Sequence, residues 1–195
     1  MSYRNPIAQV IADPVLLDKE IKNIQTVLGT LSWLEKSFGR AFKGIRLKEG
    51  RKVTYPAIFQ QWKKDYYDAF PNDNIKSYSF IFPDPSEITE YNVKGKHEIQ
   101  RNISIILFFD LEQIDNTLQY RFIELLKEDV IIVLATLKPG KLEINDITDD
   151  VEEVFSDFTV DEIKAEFLKD KYGALKFECT IFYRNENCIL NTYTP

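Results

Sequence analysis

The stretch RNISIILFF, residues 101–109, decides the fold of this 195-residue chain. Apolar side chains alternate along it, and both of its faces become apolar toward its end, as is typical of a central strand. A second stretch, GALKFECTIFYR at 173–184, alternates apolar and polar residues and predicts a strand with one buried face. Shorter strands are predicted to accompany these two, at 53–59, 75–82 and 142–147.

Helical spacing predicts two main helices. Asp13-Pro14 is a helix-start signal, and apolar residues that recur at steps of four and three then predict one long helix over 14–39. These residues are Leu17, Ile21, Ile24, Leu28, Leu31, Leu34 and Phe38. A second helix, capped by Asp115, is predicted over 116–137. The run VIIVL at 130–134 within it has the composition of a strand, but the unbroken helical spacing favours a helix.

The order of these elements predicts an α+β fold, in which a mostly antiparallel sheet is packed by helices on one face and a long N-terminal helix precedes it. Short helical turns are predicted at 149–155 and 160–168. The predicted organisation is an N-terminal arm, one domain and a tail, at 1–13, 14–184 and 185–195. Within the domain, a basic connection at 40–52 is predicted to join the helix at 14–39 to a sheet and helix core at 53–184.

Composition excludes several classes of protein. The net charge is -6 and 44% of the residues are apolar, which is typical of a folded domain. No apolar run approaches the length of a membrane span and the first residues resemble no secretory signal, so a soluble, intracellular protein is expected. One histidine and two cysteines are too few for a structural zinc site. His97 is predicted to be a solvated loop residue, and Cys179 a buried free thiol.

No phosphate-binding or nucleophile motif occurs in the sequence, so no catalytic residue, cofactor or metal is predicted. One enzymatic alternative remains open, in which the carboxylates Asp110 and Glu112 act just after the central strand. We favour helix capping and solvation for this pair, because no matched partner accompanies it.

Charge is distributed unevenly along the chain. Residues 1–64 hold 12 Lys and Arg against 5 Asp and Glu, whereas 143–162 hold nine acidic residues and no basic one. Opposite patches can steer copies of one chain into head-to-tail contact, which closes into a ring when its rotation is right. The alternatives are two solvated faces, or a basic stripe on nucleic-acid phosphates. The predicted subunit interface comprises Lys36, Arg40, Lys43, Arg46, Arg51, Lys52, Asp149, Asp150, Glu152 and Glu153.

The order of elements resembles that of the tail-terminator and neck-ring proteins of tailed bacteriophages. The resemblance spans residues 14–184 and is carried by the N-terminal helix, the segment KVTYPAIF at 52–59, the strand 102–109, the helix 116–137 and the strand 172–184. It implies a small α+β fold, a homo-oligomeric ring such as a hexamer or dodecamer, and no catalysis. The long first helix and the long loop at 84–96 depart from the family pattern.

The resemblance further implies a structural virion protein, located at the neck or tail and in the host cytoplasm during assembly. Its ring would join the head-side connector to the tail, as a tail terminator or a connector. Its partners would be further copies of itself, the adjacent portal or connector and tail proteins, and DNA passing through a lumen without sequence-specific binding, with no membrane. The alternatives are a small ligand- or partner-binding regulatory module with an apolar pocket, or a related subunit of a contractile injection apparatus.

Overall fold

The structure, a computed structural model, describes residues 7–8, 11, 13–60, 63–69, 75–86, 88–91, 97–117, 122–159 and 171–184. At 88–91, 97–98 and 184 it describes the backbone alone. The predicted helical turn at 160–168 and the tail at 185–195 lie outside these residues, as do 87 and 92–96 of the predicted loop at 84–96. Residues 88–91 of that loop form a strand instead. No helix within the described ranges has both the length and the apolar character needed to cross a membrane.

The described residues form nine strands and four helices. The strands are β1 (Ile7–Ala8), β2 (Lys36–Lys48), β3 (Arg51–Gln60), β4 (Asp65–Asp68), β5 (Ser77–Pro83), β6 (Ile88–Tyr91), β7 (His97–Asp110), β8 (Leu142–Thr148) and β9 (Tyr172–Arg184). The helices are α1 (Leu17–Leu28), α2 (Leu111–Ile114), α3 (Ile123–Leu134) and α4 (Val151–Val154). The strands predicted at 53–59, 101–109, 142–147 and 173–184 are confirmed as parts of β3, β7, β8 and β9.

The strands pair in the order β4-β3-β2-β5-β7-β9-β8, with β1 beside β2 and β6 beside β7. All pairings among the described strands are antiparallel except β1 with β2 and β2 with β5. The long strand β2 has two roles. Its first residues, up to Arg40, pair with β5, and its remainder pairs with β3. The β2–β3 hairpin therefore leads away from the body of the sheet, near the opposite end of the strand order from β8.

A hydrophobic core lies on each face of the sheet. On the first face, α1 and α3 pack over the side of β7 that carries Ile105 and Leu107. On the second face, α4 and the residues after it pack over Ile106 and Phe108, through Val154, Phe155 and Phe158. Helical segments on both faces explain why the end of β7 is apolar on both sides.

The predicted α+β fold with a long N-terminal helix is wrong. The structure is mostly β-sheet, with 48% strand against 23% helix, and its N-terminal helix spans only Leu17–Leu28. The last helical hydrogen bond joins the Gly29 N–H to Gln25 O, and Leu31 and Leu34 then lie in turns, bonded to Leu28 O and Leu31 O. Phe38 continues the helical spacing but lies in β2, in the core of the second face. Strand pairing with β5 replaces helix from residue 36 onward.

The predicted basic connection at 40–52 is a β-hairpin instead. Lys48 and Arg51 are paired residues at its end, joined by Glu49-Gly50. Both turn residues have positive φ, 50° and 77°, which is the geometry of the two-residue type I′ turn that suits the twist of a hairpin. Seven basic residues between 36 and 52 therefore lie on strands of the sheet.

The second predicted helix is shorter than expected. Its described part, α3, begins at Ile123, and the run at 130–134 is helical as predicted. Asp115 does not cap it, because its carboxylate accepts the Thr117 N–H at 2.8 Å and closes a local turn. His97 lies in β7 opposite Tyr91, so the predicted loop position is also wrong.

The prediction for Cys179 is confirmed, because it is a buried free thiol in β9. Burial, with a smaller contribution from the Glu178 charge, raises the pKa of this thiol from 9.0 to about 12. This thiol ionises at a lower pH in the unfolded chain than in the folded one. Its contribution to the free energy of unfolding is therefore complete below pH 9 and is lost as the pH rises toward 12.

We therefore expect the free energy of unfolding to fall by about 1 kcal/mol per pH unit above pH 9 through Cys179 alone. Urea denaturation of the wild type and of Cys179→Ala between pH 7 and pH 11 would isolate this contribution. The wild type should lose stability more steeply with pH than the variant. Parallel losses in the two proteins would contradict the prediction.

Candidate functional site

One face of the β2–β3 hairpin is covered by the side chains of Tyr55 and Arg46. The Tyr55 ring lies over Gly44, its paired residue, so closely that a Cβ at Gly44 would fall 2.6 Å from the ring. The Arg46 guanidinium in turn lies 5.0 Å from the centre of the Tyr55 ring, and its Nη1 donates to Asp68 Oδ2 of β4 at 2.7 Å. Arg46 therefore serves the hairpin itself and its attachment to β4.

The other face of the hairpin presents apolar side chains to solvent. Ile45 is 65% exposed and Leu47 is 75% exposed, and as alternate residues of β2 they share this face. Lys43 precedes them on the same face and Lys52 is paired with Leu47, and both lysines are exposed. The face is therefore an apolar pair with a basic rim, which we call the hairpin face (Lys43, Ile45, Leu47, Lys52).

The structure divides the six basic residues of the predicted interface. Lys36 is half-buried at the start of β2, and Arg40 contacts Asp18 of α1 at 3.4 Å and lies over the Phe42 ring. Arg40 and Arg46 therefore have partners within the subunit, and these two and Lys36 are only partly exposed. The remaining three are exposed on the hairpin: Lys43, Arg51 and Lys52.

The four predicted acidic interface residues are exposed where β8 leads into α4. Asp150 caps α4 by accepting the Glu152 N–H at 2.8 Å, and Glu153 accepts the Thr148 hydroxyl at 2.9 Å. Asp149 and Glu152 are exposed beside them. Asp150 and Glu153 thus shape this turn, and all four carboxylates add negative charge at the β8 end of the sheet.

The chain that follows α4 returns to the hairpin. It crosses the second face of the sheet through Phe155 and Phe158 and reaches β3, where Thr159 Oγ1 accepts the Thr54 N–H at 2.9 Å and the Thr159 N–H donates to Thr54 O at 2.9 Å. The predicted acidic segment at 143–162 therefore begins at one edge of the sheet and is anchored at the base of the hairpin. Its described acidic residues, between 143 and 157, do not form one continuous edge.

A further exposed apolar surface lies on α3. Leu125 is 50% exposed and Ile132 is 57% exposed, and their spacing of seven residues places them on one side of the helix, away from the core. Glu124 and Glu128 are exposed beside them. We call this surface the α3 face (Glu124, Leu125, Glu128, Ile132).

A shallow depression on the second face of the sheet is lined by Phe82, Asp84, Pro85, Asn102, Ile103, Ser104, Asp157 and Glu178. Its volume is about 130 Å³, below the roughly 300–1,000 Å³ of small-molecule sites. Lys176 forms ion pairs with Asp157 and Glu178, and Ser104 donates to Glu178 at 2.9 Å. In the described part of the chain, no group of three metal-ligating side chains could hold a metal ion.

Asp110 is a structural residue and not a solvated one. It is buried, accepts the Gln113 N–H as the cap of α2, and forms an ion pair with Lys171 at 3.1 Å. Two hydrogen bonds raise the pKa of Lys171, and the one with Tyr172 has a larger effect than the one with Asp110. The capping role predicted for Asp110 is confirmed and its solvation is wrong, whereas Glu112 is exposed on α2.

No model of a known protein family matches this chain, and no curated protein matches it.

Sequence reasoning missed both exposed apolar surfaces. The alternation of Ala41, Lys43, Ile45 and Leu47 was a signal for the hairpin face, which the density of basic residues obscured. Apolar residues occur on all sides of α3, so their helical spacing does not distinguish the exposed Leu125 from the buried Leu126.

Proposed function

We propose that this protein is a structural subunit that assembles head-to-tail into a ring at the neck or tail of a bacteriophage virion, as a tail terminator or a connector ring. The observation that supports this function best is the hairpin, which carries exposed Arg51 and Lys52 and the apolar pair of the hairpin face. The exposed carboxylates Asp149 and Glu152 lie toward the opposite end of the strand order.

Opposite charges on different elements favour a contact between unlike surfaces. Two hairpins brought together would place Lys and Arg against Lys and Arg, whereas a hairpin approaching the acidic end of a neighbour is attracted to it. A contact between unlike surfaces repeats from copy to copy, and it closes into a ring when its rotation permits. The same subunit physics would serve a contractile injection apparatus.

Reversing the exposed hairpin charges is expected to weaken self-association. We expect Arg51→Glu with Lys52→Glu to lower the apparent association constant about tenfold at low salt, and by less at high salt, where screening already weakens the attraction. Sedimentation velocity at both ionic strengths would measure this change. Arg46 is unsuitable for the test, because it holds the hairpin to Asp68.

A matched control is Lys19→Glu with Lys22→Glu, which makes the same charge change at exposed positions of α1. This control should assemble as the wild type does. Adding Asp149→Lys and Glu152→Lys to the reversed hairpin should restore association by exchanging the two signs. Normal assembly of the reversed protein at low salt would contradict the proposed role of the charges, and open filaments or closed dimers in electron micrographs would contradict a ring.

A further inference from the structure

The α3 face is an apolar surface that the described subunit leaves uncovered. Leu125 and Ile132 are separated by about 10.5 Å along the helix, from the helical rise over seven residues. Glu128 stands between them and Glu124 beside them. Glu124 forms an ion pair with Lys127 of the same helix, and the exposed Glu128 and Asp129 leave the rim of this surface net acidic. A surface helix ordinarily places polar residues on its outward side, and α3 departs from this pattern at these two positions.

The hairpin face has matching character and opposite charge. Ile45 and Leu47 lie about 7 Å apart along β2 and are the two most exposed large apolar residues of the described chain. The rim of this face is basic, through Lys43 and Lys52. An apolar pair with a basic rim complements an apolar pair with an acidic rim.

The end of the hairpin is available to reach another molecule. Pairing of β2 with β5 stops at Arg40, pairing of β3 with β4 begins at Ala57, and the contact with Thr159 is made at Thr54. In the strand pairings of the described residues, those from 45 to 54 therefore pair only with one another. This segment carries both apolar residues of the hairpin face.

We infer that the hairpin face of one copy docks on the α3 face of the next copy. This inference rests on the proposed head-to-tail assembly and names the contact that would hold it together. Like faces are disfavoured as partners, since two α3 faces would oppose Glu124 and Glu128 of both copies and two hairpin faces would oppose their lysines. The carboxylates at 149–153 act in this assembly by steering the hairpin, and the apolar pairs supply the contact.

Cross-linking between two variants, each with one added cysteine, tests the contact directly. Leu47→Cys and Ile132→Cys would each be made in the full chain carrying Cys188→Ser, with the buried Cys179 left in place. A short bismaleimide should cross-link the mixture of the two variants into dimers that contain one of each. Neither variant alone should give comparable cross-linking.

Association measurements provide an independent check. Ile45→Thr with Leu47→Thr keeps residues that suit a strand, and Leu125→Gln with Ile132→Gln keeps residues that suit a helix. Each pair should lower the apparent association constant roughly tenfold or more, from the lost apolar burial. Val15→Thr, at a residue 64% exposed outside both faces, is the matched control and should leave association unchanged. Circular dichroism would verify that all variants remain folded.

The outcomes separate the inference from the proposed function. The protein could self-associate without cross-links between residues 47 and 132, or the α3 variant could self-associate as the wild type does. Either result would overturn the docking site and leave the proposed ring in place. Cross-links within one variant only would replace head-to-tail contact by a symmetric dimer and overturn both. A protein that neither self-associates nor cross-links in the mixture would also overturn both.

Discussion

Replacing Gly173 by alanine is expected to lower the free energy of unfolding by about 3 kcal/mol, at the upper end of the cost of overpacking a core. Gly173 is paired with Phe109 on the neighbouring strand, and the ring of Phe109 covers it. A Cβ at residue 173 would lie 2.4 Å from Phe109 Cε2, closer than real Cβ contacts allow. The ring has little room to retreat, because it is fully buried and packs edge-to-face on Trp33 at 5.8 Å.

The Gly173→Ala effect would be measured by urea denaturation, with Phe109→Leu as the partner in a double-mutant cycle. Phe109→Leu alone should destabilise by leaving a cavity. Combined with Gly173→Ala, it should cost less than the sum of the two single changes, because the smaller side chain makes room for the new methyl group. A loss below 1 kcal/mol for Gly173→Ala, or strict additivity, would show that the close approach of the ring does not constrain this position.

The second large effect is expected at Gln25, a buried amide on α1. Its Nε2 donates to Ala8 O of β1 at 2.8 Å and to Ser37 O of β2 at 2.7 Å, and so ties the helix to two strands. Gln25→Leu keeps most of the volume but removes the donor from both carbonyls. We expect a loss of about 2–3 kcal/mol, because buried acceptors left without a partner cost their desolvation.

Hydrogen exchange distinguishes this explanation for Gln25 from a general loss of packing. Amides of β1 and the first residues of β2 should exchange much faster in Gln25→Leu, whereas those of β9 should follow global stability alone. Thr26→Ala is the control on the same helix, since Thr26 is exposed and bonds only Lys22 O in its own turn. A Gln25→Leu protein as stable as this control would refute the proposed role of the amide.

Long, regular alternation is what predicts the two longest strands of the confirmed set. Residues 101–109 and 173–184 were recognised because one face of each is continuously apolar. The helix at 14–39 was overextended because Leu31, Leu34 and Phe38 keep the helical spacing after α1 has ended. The chain forms β2 after α1 because β2 pairs with β5, which lies about forty residues later in the sequence. A local hydrophobic pattern contains no information about such a distant partner.

The candidate surfaces were predictable only in part, for a related reason. The sequence shows where charges concentrate, but not which of them form ion pairs. Arg40 pairs with Asp18 and Arg46 pairs with Asp68, in each case 22 residues away in the sequence. The hairpin turn Glu49-Gly50 lacks the Asn-Gly or Asp-Gly pair that usually signals such a turn. The distinction between basic residues that are paired within the subunit and those that are exposed therefore required the three-dimensional arrangement.

The position of β9 has a consequence for how the protein is made. Although β9 is the last strand of the described chain, it lies inside the sheet, between β7 and β8. Its partner residues on β7 precede it by about 60 to 90 positions, so their pairing closes a long loop and is intrinsically slow. A growing chain cannot complete the sheet until residue 184 has left the ribosome. Until then, the edge of β7 that pairs with β9 is open, and an unpaired edge on so apolar a strand favours aggregation.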